Sequence, residues 1–97
     1  MTKGYWVSCY RAVHDQDKLG AYAKLAGPAI EKHGGKFVVR GVAAEAHEEG
    51  IVGRTVVVEF ASVEAAKTAH DSPEYGAALD ALRGGVERDF RIVEGAA

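Results

Sequence analysis

An α+β sandwich of the order βαββαβ is the fold class this sequence predicts: a four-stranded antiparallel sheet with helices on one face. Three observations predict it. Four short runs are rich in β-branched and aromatic residues, helical apolar spacing separates them, and glycine pairs stand at the ends of the helical stretches. With 97 residues there is material for one hydrophobic core, so residues 1–97 are expected to form a single domain.

Tyr5 to Tyr10 contains no glycine or proline and reads as the first strand. Asp15 can cap a helix whose apolar positions Leu19, Tyr22, Ala23, Ala26 and Ile30 recur at three and four; Gly34 and Gly35 end it. Pro28 lies inside that stretch and predicts a kink or break, because it removes a backbone donor and crowds the preceding turn. Lys36 to Arg40 and Arg54 to Phe60 read as a hairpin joined by an acidic, glycine-containing connection with Glu48, Glu49 and Gly50. Ser62 can cap a helix through Val63, Ala66, Ala69 and His70, which Asp71, Ser72 and Pro73 interrupt. Ser72 can then cap a further segment with Pro73 at its first position and Tyr75, Leu79 and Leu82 on one face; Gly84 and Gly85 stop it. Val86 to Val93 is the fourth strand.

In the third strand Val56, Val58 and Phe60 point to one side, while Thr55, Val57 and Glu59 point to the other. The helices cover one face of the sheet and leave some apolar area on the other. A second copy of the same sheet is the expected cover, so self-association as a homodimer through sheet faces is the expected partnership.

A formal charge of -2 gives no positive field for phosphates, which argues against nucleic acid. No run approaches the roughly 20 apolar residues of a membrane span, and MTKGYWVSCYRA lacks the apolar stretch of a secretory signal. With Cys9 as the single cysteine, no internal disulfide is possible, and a cytoplasmic location is expected. His47 opens HEEGI, which lacks the second histidine of a zinc-protease helix. No metal and no cofactor are assigned.

Four residues are candidates for chemistry. Arg40 ends the second strand with a planar cationic fork suited to a carboxylate; its structural alternative is an ion pair with Glu59. Glu59 lies in an apolar strand, where burial would raise its proton affinity toward general-base work. His70 and Tyr75 flank the helix interruption and can both exchange protons; the plainer reading is a partly exposed helical histidine and a core tyrosine. Tyr5, Trp6 and Tyr22 can shape an apolar, ring-binding pocket or simply fill the core. His33 and Arg83 suit helix C-termini, His14 lies in the first strand-to-helix loop, and Cys9 reads as a buried apolar residue.

GYW at Gly4 to Trp6, HGGKFVVRG at His33 to Gly41, VVVEF at Val56 to Phe60, SPEY at Ser72 to Tyr75 and VEG at Val93 to Gly95 span almost the whole chain. In these segments it resembles the DUF1330 family of the dimeric α+β barrel superfamily. The resemblance implies a ferredoxin-like subunit that pairs sheet to sheet, with a cleft between sheet and helices, and implies no established reaction. His70 departs from the family's usual aromatic residue before SPEY. The wider superfamily includes cofactor-independent monooxygenases, lactone isomerases and haem-degrading proteins. Two functions therefore stand side by side. One is the binding or conversion of a small anionic or aromatic metabolite in the cleft; the other is a non-catalytic dimeric accessory or stress-related protein.

Overall fold

The computed structural model describes residues 2–97. Its elements follow the expected order, with the second helical region divided in two: β1 (Gly4–Val13), α1 (Gln16–Lys32), β2 (Lys36–Val42), β3 (Arg54–Phe60), α2 (Val63–His70), α3 (Pro73–Leu82) and β4 (Val86–Glu94). The strands form one antiparallel sheet in the order β2-β3-β1-β4, so the two strands most central in space are the first and third in sequence. This is the ferredoxin-like α+β arrangement.

Local chemistry sets the helix ends. Asp15 accepts hydrogen bonds from the Asp17 and Lys18 amides at the start of α1. Ser62 caps α2 and Ser72 caps α3, where Pro73 takes the first helical turn at no cost in hydrogen bonds. After α1 the Gly34 amide bonds Glu31 and the Gly35 amide bonds Ile30, with Gly34 at φ 81, a left-handed closure that favours glycine. Gly35 must also stay small: an added Cβ would sit 2.5 Å from Ile30 and 2.8 Å from Phe60.

Two expectations give way. Helix α1 runs unbroken through Pro28, so of the kink or break expected there the break does not occur. Pro28 faces solvent, as does Lys24, whose carbonyl loses its helical donor and can turn to water, while Ala29 and Ile30 beside it are held in the core. Tertiary packing thus overrides the local penalty. Cys9 is exposed rather than buried, because it shares the side of β1 that Tyr5 and Val7 occupy, away from the helices.

The core lies between the sheet and the helices, with Trp6, Val58, Phe60 and Tyr75 as its largest fully buried side chains. Trp6 reaches across this layer to donate its indole N–H to the Ala66 carbonyl at 2.9 Å. On the opposite face Val7 and Val57 are half-buried, and Val39 and Val93 are exposed. Among the described residues no helix is long and apolar enough to cross a membrane.

Candidate functional site

Alternation along the strands places polar residues among the inward-facing apolar ones. On β1, Ser8 sits between Trp6 and Tyr10; on β3, Arg54 precedes Val56 and Val58; on β4, Arg88 precedes Phe90 and Ile92. A register shift after Phe37 turns Arg40 of β2 toward the same side, opposite Val56. Above them α1 lays the small residues Ala23, Ala26 and Gly27 over the sheet. Between these two layers lies a cavity with about 70 Å³ open to the centre of a water molecule, space for several waters or for part of a small ligand.

Its lining includes the apolar side chains of Trp6, Ile30, Phe37, Val58 and Phe90. It also carries three arginines, Arg40, Arg54 and Arg88, with Arg40 over the Phe37 ring and Arg88 over the Phe90 ring, and no carboxylate lines it among the described residues. Arg88 is the most embedded. Its Nη1 donates to the hydroxyls of Tyr10 at 3.2 Å and Tyr22 at 3.3 Å, and its Nη2 donates to Tyr75 at 3.1 Å. Burial works to lower its pKa, but the three tyrosines outweigh this and the net shift is upward, so the guanidinium stays charged. The Tyr22 and Tyr75 hydroxyls lie 2.7 Å apart. Burial, reinforced by Tyr22 and opposed by Arg88, moves the Tyr75 pKa far up, which keeps its hydroxyl protonated. The guanidinium of Arg40 stacks 4.3 Å above the Phe37 ring and is otherwise exposed at the rim.

The four sequence candidates therefore separate. Arg40 lines the cavity. Tyr75 stands behind it, fully buried, and reaches it through Arg88 and Tyr22. Glu59 is on the other face of the sheet, paired with Lys3 at 3.5 Å and accepting from the Tyr5 hydroxyl at 3.3 Å, so the ion pair expected with Arg40 does not form. His70 packs among Trp6, Tyr75 and Phe90 with ring centroids 5.3–6.0 Å away, filling an aromatic position in the core edge. Tyr5 joins Glu59 on the open face, whereas Trp6 and Tyr22 do line the cavity. Arg54, Arg88, Ser8 and Tyr10 were missed by residue-type reasoning. A charge at the same parity as Val56 and Val58, or as Phe90 and Ile92, was the available signal.

The remaining histidines are explained locally: His14 meets Glu87 at 2.7 Å, His33 meets Glu74 at 3.0 Å and His47 meets Glu45 at 2.7 Å. Arg83 pairs with Asp80 at 2.8 Å. Among the described residues no group of three His, Cys, Asp or Glu side chains is placed to hold a metal ion.

A family model described as a domain of unknown function, DUF1330, matches residues 3–96. The chain belongs to the DUF1330 family. No curated protein matches it. Among solved structures it is similar to a protein of unknown function from Rhodopseudomonas palustris, with a TM-score of 0.77 and 17% identity over 99% of this chain and 84% of that one. It is also similar to SnoaB, a cofactor-independent oxygenase from Streptomyces nogalater, with a TM-score of 0.67 and 15% identity over 100% and 96% of the two chains. A dimeric ferredoxin-like protein of unknown function from Thermobifida fusca gives a TM-score of 0.59 and 19% identity over 99% and 92%. At these identities the DUF1330 chain shares a fold with them, and its chemistry has to be argued from its own cavity.

Proposed function

We propose that this DUF1330 protein binds a small anionic metabolite with an aromatic or otherwise flat apolar body in the cavity between the sheet and α1. One observation carries the reading: three guanidinium groups and several aromatic and apolar side chains line a single cavity, and no carboxylate among its described lining residues neutralises the guanidinium groups. An anion supplies the missing charge. Holding is better supported than proton abstraction, because no histidine or carboxylate lines the cavity among the described residues and Tyr75 keeps its proton. This favours a binding or accessory role for the site. Conversion of the bound anion rests on fold-level analogy with the oxygenase alone.

The proposal includes a homodimer through the open sheet face. Val7, Val39, Val57 and Val93 give that face apolar area, and similar structures from Bacteroides fragilis and Thermobifida fusca are described as dimeric.

Titration calorimetry with benzoate and its neutral isostere benzamide tests the cavity reading. Benzoate is expected to bind more tightly, and Arg40→Ala is expected to lose about tenfold in benzoate affinity with an unchanged circular dichroism spectrum. Equal affinity for the two compounds, or an Arg40→Ala variant that binds benzoate as the parent does, overturns it.

A further inference from the structure

Two buried side-chain polar atoms have no hydrogen-bond partner among the described residues: Ser8 Oγ and Arg54 Nε. Both residues line the same cavity. Ser8 is only 3% exposed, so its hydroxyl is not satisfied by the outer surface. Orphaned polar groups are costly in a core and rare, and two that share one cavity mark a place built for an occupant. By contrast, the cavity's third arginine, Arg88, has both Nη atoms engaged by tyrosines and acts as a fixed part of the wall.

We propose that Ser8 and Arg54 anchor the carboxylate of a flat, apolar monocarboxylic acid, an assignment that rests on the anion-binding reading of the cavity. Ser8 pairs with Val56 across the β1–β3 ladder, and Arg54 lies two residues before Val56 on the same face, so the two residues are diagonal neighbours on the cavity floor. An N–H that can only donate and a hydroxyl free to donate match the two coplanar oxygens of a carboxylate. A tetrahedral phosphonate brings a third oxygen that cannot lie in the plane the guanidinium fork presents. The body of the acid then meets Trp6, Phe37 and Val58. Gly27 leaves the roof open above it: an added Cβ there would meet nothing within 4 Å, although glycine weakens a helix interior.

The test combines calorimetry with benzoate and thermal unfolding of the unliganded protein for Ser8→Ala and Arg54→Lys. Ser8→Ala removes an atom that no other described residue bonds, so its Tm is expected to equal or exceed that of the parent. Its benzoate affinity is expected to fall about tenfold. Arg54→Lys keeps the charge but loses the planar fork, and a loss of at least about tenfold is expected there too. Phenylphosphonate is expected to bind the parent more weakly than benzoate does. Unchanged benzoate affinity in both variants, with Arg40→Ala still impaired, overturns the anchor and leaves the cavity reading standing. A lower Tm for Ser8→Ala with unchanged affinity assigns the hydroxyl a structural role and overturns it as well. Tighter phenylphosphonate binding overturns the carboxylate assignment, and a parent that binds no benzoate overturns anchor and cavity reading together.

Discussion

Glu74, in the first turn of α3, receives Lys32 Nζ at 3.0 Å and faces His33 Nε2 at 3.0 Å, tying the end of α1 to the start of α3. The contact with His33, then that with Lys32, brings its carboxyl pKa from 4.5 down to about 2. A carboxylate held below its unfolded value stabilises the fold at any pH above that value, and the contribution is lost as pH falls through the folded value. Thermal unfolding is therefore expected to show a component of stability that disappears between pH 4.5 and about 2 in the parent and is missing in Glu74→Gln. The same slope in both proteins contradicts this. Glu74 stands inside the SPEY segment, yet its partners come from another helix, and residue type alone does not name them. The cavity cations were more accessible to reading: strand alternation puts Arg54 with Val56 and Arg88 with Phe90, on the buried side. The same alternation puts Glu59 with Val57 on the open side, where Lys3 rather than Arg40 meets it. What alternation could not supply is the three-tyrosine cage around Arg88, because Tyr10, Tyr22 and Tyr75 come from three elements.

At the scale of elements, caps and glycine stops were legible because each acts within a few residues. Asp15, Ser62 and Ser72 all cap as their types suggest, and Gly34 closes α1 in the left-handed conformation. The extent of β1 was less legible. It continues beyond Tyr10 to Val13 through a register shift against β4 between Tyr10 and Ala12, and an irregular ladder of that kind depends on the partner strand. No break forms at Pro28 for a related reason: propensity counts the lost bond, whereas Ala26, Ala29 and Ile30 anchor the helix in the core on both sides of it. The penalty is still present in the folded chain. Pro28→Ala is expected to restore an amide donor to α1 and stabilise the protein by up to about 3 kcal/mol, less the backbone entropy that proline removes from the unfolded chain. Urea unfolding checks it, and a lower midpoint for the variant contradicts it.

For the whole molecule, the sheet divides two environments. The helix-covered face holds the core and the cationic cavity, and the open face mixes Val7, Val57 and Val93 with charged neighbours such as Glu59 and Arg91. That apolar strip is what a second copy would cover. Sedimentation is expected to give twice the 10.3 kDa chain mass at micromolar concentration, and Val57→Asp is expected to give the single chain, since a carboxylate at the centre of the strip would be desolvated on pairing. A parent that sediments as one chain removes the pairing. The cationic cavity stands on the other face and makes a separate demand. Intermolecular nuclear Overhauser effects between benzoate ring protons and protein side chains locate the ligand directly: the expected contacts are to Trp6, Ile30 and Phe37, and contacts confined to Tyr5, Val57 and Val93 on the open face would contradict the account.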